Sequence, residues 1–407
     1  MTRLTSEAVL FRSRGNSDSG KVSFIELFFD LIFVFAVTQL SHSFLKNFTW
    51  EGAIQLGLLT MAIWWVWIFT AWVMNWLNPE TFRVRSMLIV LMLIGLIMSA
   101  SIPEAFEKSG LYFASAYALF QVGRTAYTVW VLRKGARELR INFIRILSWL
   151  ILSGIFWVAG GIAHEQTRLA LWCIALFIEY IAPSMGFWLP KVGRTPTKVW
   201  NVEGSHMAER CGLFIIIALG ESILVTGATF AELEWNLLTL SSFATVFLST
   251  VAMWWIYFDV TAKTGHHFIA HSTDPGRVAR SAYTYTHLLL VAGIILSAVA
   301  DELLLAHPVG HLDTKTAAVI LAGPALYLLG NMLFMRIVAG VVSAPYIAGL
   351  IMLVILFPFA TSISPLLLSI IATVTLIVVS LWGSVFTERL CQTKPLLDHH
   401  KTETESL

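Results

Sequence analysis

Phe24-Ile25-Glu26-Leu27-Phe28-Phe29-Asp30-Leu31-Ile32-Phe33-Val34-Phe35-Ala36 is an apolar run that carries two acids four residues apart. A helix that covers a hydrocarbon core needs about 20 such residues, and the stretch 22–44 supplies them. Working outward, eleven further runs of this kind can be drawn: 52–76, 84–103, 110–132, 141–162, 167–189, 206–229, 236–259, 280–304, 314–338, 343–361 and 364–387. The last division is the least distinct, because Pro358 and Pro365 merely bracket Ser-Ile-Ser. The composition agrees: 57% of the 407 residues are apolar and 13% charged, against roughly 45–50% and 25% for a soluble domain. The expected fold class is an all-α polytopic membrane protein of about twelve transmembrane helices.

Loop charge tests the count independently, because short cytoplasmic loops collect Lys and Arg. With the N-terminus inside, 22 basic residues fall in inside segments and four in outside ones, Lys46, Lys108, Arg168 and Lys315. Acids gather outside instead, at Glu104, Glu107, Glu232, Glu234, Asp301 and Glu302. This alternation predicts both termini in the cytoplasm. Residues 1–20 contain no apolar core of a signal peptide and read as a cytoplasmic tail, as do residues 388–407.

The two halves resemble each other. Ala118-Leu119-Phe120 with Gly123 matches Ala325-Leu326-Tyr327 with Gly330 at the same spacing, and Trp64-Trp65 answers Trp254-Trp255. A six-plus-six parallel repeat follows, with helices at 21–190 and 206–387 joined by a basic linker at 191–205, and transporters often bind substrate between such halves.

Ionisable groups inside an apolar bundle need a partner, a proton or water. Glu26 and Asp30 share one helix face, and like charges that close need a cation between them or a shared proton. Interfacial water and Lys21 are the plainer explanation of both. Further along the same helix, Gln39 and His42 share another face. The seventh run opens His206-Met207-Ala208-Glu209-Arg210, and Glu221 follows twelve residues after Glu209, about 18 Å along the axis. Glu221 therefore reads as a proton or ligand group, or as a protonated tie between helices. Arg124 in the fourth run, beside Gln121, is the expected basic partner of an embedded acid unless it reaches back to the surface. Glu179, Asp259, His287 and Asn331 complete the polar set, with Asn331 aligned to Arg124 in the repeat. His266, His267 and His271 sit in a polar loop and do not make a convincing metal site. The tryptophans read as interface and packing residues, and Cys173, Cys211 and Cys391 have no metal-ligand spacing.

The run Ser23 to Ala36, continuing through Gln39-Leu40-Ser41-His42, resembles the opening motif of the bacterial low temperature requirement protein A family. His206-Met207-Ala208-Glu209-Arg210-Cys211-Gly212-Leu213-Phe214-Ile215-Ile216-Ile217-Ala218-Leu219-Gly220-Glu221-Ser222-Ile223 resembles its second motif, with Cys211 where an aromatic or apolar residue is expected. The similarity reaches about residue 390, less distinctly in the last spans. The resemblance implies a multi-pass protein of the bacterial inner membrane, points at the same acids, and brings no settled biochemical activity.

Three functions stay open. A secondary transporter or ion-coupled permease would use embedded carboxylates as proton or ligand sites, and should show Glu221 or Arg124 lining a central cavity between the halves. A noncatalytic membrane sensor or assembly protein for growth in the cold would pack these groups dry. An inner-leaflet enzyme acting on a lipid-linked substrate would gather Glu26, Asp30, His206 and Glu209 in an open cleft. No phosphate loop or nucleophile motif is present. No cofactor and no nucleic-acid partner is expected; membrane lipid and a small solute or proton are.

Overall fold

A computed structural model describes residues 10–12, 21–134, 137–195, 202–265 and 275–404, with side chains as far as Glu388. Twelve helical rods follow one another: α1 Phe24–Lys46, α2 Trp50–Trp76, α3 Phe82–Ala100, α4 Gly110–Val131, α5 Arg137–Ile162, α6 Glu165–Ile181, α7 Gly204–Ala231 and α8 Leu237–Gly265. The series ends with α9 Gly276–Ala306, α10 Thr314–Ala339, α11 Ala344–Ser362 and α12 Pro365–Thr404. Each rod matches one expected run. Among the described residues ten are long and apolar enough to cross a membrane. The two that fall short are α4, diluted by Gln121 and Arg124, and α6, only 17 residues long. The chain is a multi-pass membrane protein, and its outward faces stay apolar: Leu93, Ile155 and Val354 are each more than 60% exposed, as a surface solvated by lipid requires.

Local chemistry explains the ends. Thr49 caps α2 by accepting from Gly52 N–H at 3.0 Å, and Asn236 Oδ1 caps α8 by accepting from Leu238 and Thr239 N–H. The sixth rod stops eight residues before the end of its expected run at 189, because Pro183 cannot continue it and Gly186 turns the chain at φ +64°. The division between α11 and α12 is real, with Phe357–Ser362 tightening to a 3₁₀ turn before Pro365 restarts the helix. Two stretches widen to π-helix, Ile256–Ala262 in α8 and Ala279–Thr286 in α9. His266, His267 and His271 lie outside the described residues.

Asp313 caps α10, its Oδ1 accepting from Thr316 N–H at 2.7 Å, and that bond holds its carboxyl below the usual carboxylate range. A depressed folded-state value means that the cap's contribution is full above the unfolded pKa and disappears as pH falls through the folded one. Asp313→Ala should therefore cost about 0.5–1 kcal/mol at neutral pH. Melting curves of the variant and the parent should differ at pH 7 and converge as pH falls through the depressed folded-state value.

The chain packs as two compact units, residues 1–221 with 272–284, and residues 222–271 with 285–407. In the first, α2 is the central helix: Trp64, Trp65 and Trp67 are at most 1% exposed. Beside it α4 and α5 meet along small residues, where a Cβ on Gly161 would stand 2.9 Å from Ala114 Cβ. In the second unit α9 and α10 pack backbone to backbone, a Cβ on Gly293 falling 2.7 Å from Tyr327 N. Such seams let apolar helices approach where the hydrophobic effect offers no drive.

Candidate functional site

Glu26 and Asp30 lie one turn apart on α1; His206 and Arg210 lie one turn apart on α7. The fold sets these pairs face to face. Arg210 grips Asp30 bidentately, Nη1 to Oδ2 at 2.9 Å and Nη2 to Oδ1 at 2.8 Å. His206 Nε2 stands 3.0 Å from Glu26 Oε1. All four residues are at most 1% exposed, so interfacial water does not account for the acids. Glu26 Oε2 also accepts from Arg12 Nη2, Ser23 N–H and Ser23 Oγ, each at 2.9 Å. Arg12 is held there because residues 10–12 pair with the end of α2, Arg12 N–H to Trp76 O and Asn78 N–H to Leu10 O.

The imidazole tautomer follows from its neighbours. Asn75 Oδ1 accepts from Glu203 N–H at 2.9 Å, which orients the amide so that Nδ2 faces His206 Nδ1 at 3.3 Å. Nδ1 is then the acceptor and Nε2–H donates to Glu26. With His206 neutral, two carboxylates and two guanidiniums balance, which is the condition for burying charge at tolerable cost.

Sequence reasoning missed Trp67, Arg12 and Asn75. Trp67 Nε1 donates to Asp30 Oδ1 at 2.8 Å, and its ring lies 5.5 Å below the Arg210 guanidinium. The pairing itself had a visible signal, since His206 and Arg210 repeat the four-residue spacing of Glu26 and Asp30. Glu209 is half-buried, its Oε1 3.4 Å from Val22 N. No hydrogen-bond donor or cation among the described residues meets the carboxylate of Glu221, which is 6% exposed.

Arg124 does not face an acid, contrary to expectation. It is completely buried and its Nη1 donates to α2, to Val66 O at 3.2 Å and Thr70 Oγ1 at 3.0 Å. Its Nε and Nη2 have no hydrogen-bond partner among the described residues. The side chain lines a pocket with about 30 Å³ of free volume, walled by Phe69, Trp72 and Phe143 and bordered by Thr125, Asn142 and Arg280. Two waters fill such a space. Among the described residues two guanidiniums and no carboxylate border it, so its field is positive.

Glu179 forms a separate knot with four donors. Tyr117 hydroxyl and Gln121 Nε2 lie 2.5 and 3.4 Å from Oε2; Ser153 Oγ and Trp157 Nε1 lie 2.7 and 3.0 Å from Oε1. It ties α4, α5 and α6 together. In the second unit His287 Nε2 meets Tyr257 hydroxyl at 2.9 Å, Asn331 Oδ1 accepts from Thr261 Oγ1 at 2.6 Å, and Asp259 pairs with Lys263 and accepts from Ser384 Oγ. Gln39 is half-buried and His42 exposed; neither joins a cluster. Asp301 lies within α9 and is 9% exposed, not in the outside loop expected from its charge.

A sequence profile described as the bacterial low temperature requirement A protein matches residues 21–381. An uncharacterized protein of Rhizobium meliloti (strain 1021) is 39% identical over 381 residues, covering 92% of each chain. No solved structure matches.

Proposed function

From the premise that the chain belongs to the bacterial low temperature requirement A family, we propose that it is an ion-coupled permease of the bacterial cytoplasmic membrane that takes a small anion at Arg124. One observation carries this reading: a guanidinium fully buried among apolar helices, with two nitrogens unpartnered among the described residues, borders a pocket that no described acid lines. A structural arginine at that depth would be capped. Arg168 illustrates the difference, as it is 3% exposed and donates to the carbonyls of Ala105, Glu107 and Ala163. The free volume suits an ion the size of formate, nitrate or chloride.

Glu221 is the proton group in this reading, a buried carboxylate in the same unit that no cation neutralises. The α1–α7 cluster supports it differently: every charge there is answered, so it serves as the fixed frame. Glu26 and Asp30 are at most 1% exposed, which speaks against their acting on a lipid-linked substrate. The repeat is part of the proposal, supported by the parallel between Arg124 of α4 bonding to Thr70 of α2 and Asn331 of α10 bonding to Thr261 of α8.

Proteoliposomes holding a pH-sensitive dye test it. Gradients of formate, acetate, nitrate and chloride are imposed in turn, and at least one should change internal pH in wild-type vesicles. Arg124→Gln should slow that rate by about tenfold or more, the worth of a lost charge-assisted bond, and Glu221→Gln should uncouple the proton. The reading fails if none of the four anions moves protons, or if Arg124→Gln keeps the wild-type rate.

A further inference from the structure

The second unit holds a cavity of its own, with about 20 Å³ of free volume, room for one water-sized guest. Three helices each turn a pair of oxygen-bearing side chains toward it, one helical turn apart: Thr245 and Ser249 on α8, Ser297 and Asp301 on α9, Ser369 and Thr373 on α12. Asp301 Oδ2 accepts from Ser222 Oγ at 3.2 Å. Ser297 is 7% exposed and its Oγ has no hydrogen-bond partner among the described residues. That hydroxyl is pressed against α10, where a Cβ on Gly323 would lie 2.4 Å away. The next residue, Pro324, interrupts α10 from inside. It has no N–H, so the Ile320 carbonyl lacks the donor it would find four residues ahead, and Ile320 also lines the cavity.

The lining is thus rich in acceptor oxygens, holds one carboxylate and no basic side chain, and lies among apolar helices. A hard cation held by oxygens fits that donor set. One carboxylate balances one charge, and no group of three His, Cys, Asp or Glu side chains gathers among the described residues, so the guest is monovalent. A carboxylate and hydroxyl oxygens are high-field ligands, which favours the smaller sodium ion over potassium. We infer that this cavity binds one sodium ion, with the Asp301 carboxylate, Ser297 Oγ and the Ile320 carbonyl as its main ligands and the hydroxyls of Thr245 and Thr373 closing the shell. The site contains no residue of the Arg124 pocket, so it stands apart from the anion reading.

Thermal melting of the purified full-length protein in detergent, in equal concentrations of sodium, potassium or choline chloride, tests this. A ligand that binds only the folded state raises the melting temperature with its concentration. Sodium should raise it by several degrees in a saturating manner, with potassium and choline alike and flat. Asp301→Asn should abolish the rise, and Ser297→Ala should shift its midpoint at least about tenfold higher, as loss of one ligand to a desolvated charge demands. Should Asp301→Asn not fold, Ser297→Ala and Thr373→Val carry the test. Arg124→Gln should keep the full response, separating this site from the anion pocket. Identical melting in the three salts, an equal rise with potassium, or a folded Asp301→Asn that keeps the sodium response would each overturn the inference.

Discussion

Arg210→Leu is expected to cost about 3–5 kcal/mol of stability, because it strands Asp30 as an ionised carboxylate in a wholly buried position. Trp67 would remain as its hydrogen-bond donor, and one neutral N–H does not replace a bidentate guanidinium. Asp30→Leu should be as damaging from the other side, leaving Arg210 charged over the Trp67 ring. The double variant Asp30→Leu with Arg210→Leu should recover most of the loss, since removing both members of a buried pair is often nearly neutral where removing one is not. Folded yield by size exclusion and melting temperature in detergent check the ranking. If the double variant melts at or below the worse single one, the pair is not the unit described.

The second large effect is expected at Glu179. Replacement by leucine leaves the Tyr117 hydroxyl, the Trp157 N–H and the Gln121 amide without their acceptor at the junction of α4, α5 and α6. Each buried orphan costs about 1–3 kcal/mol, so a total of about 3–9 kcal/mol is expected. Glu179→Gln keeps one acceptor oxygen and should fall between parent and leucine, and Tyr117→Phe, which removes one bond, should cost about 1 kcal/mol. Differential scanning fluorimetry of the four proteins reads this order. Equal melting of the glutamine and leucine variants would mean that the knot is not held by its hydrogen bonds.

The rods were legible because a bilayer imposes a length and a polarity that any apolar run must satisfy. Where reading from sequence went wrong, the cause was tertiary. Arg168 and Arg210 count as loop charges by position, yet the first satisfies carbonyls at the end of α5 and the second is neutralised by a helix 180 residues away in sequence. Asp301 counts among the outside acids by its charge although the run 280–304 contains it, and the helix continues past it through Leu303-Leu304-Leu305. Arg124 stands out in the sequence as a charge within an apolar run, but its surroundings depend on which faces of α2, α4 and α5 meet, and no spacing within one helix encodes that. Trp67 was passed over for a related reason: among so many tryptophans, only the packed structure distinguishes the one whose N–H reaches a carboxylate.

The ion pairs between α1 and α7 also bear on how the chain is made. Glu26 and His206 are 180 residues apart, as are Asp30 and Arg210. At roughly 5–20 residues per second, the ribosome delivers α7 some 10–40 s after α1 has emerged. Throughout that interval the first helix must wait at the insertion machinery, or lie shallow with its acids protonated or wet. Its final depth is reached when the seventh helix arrives, which makes assembly of the first unit a late event in translation.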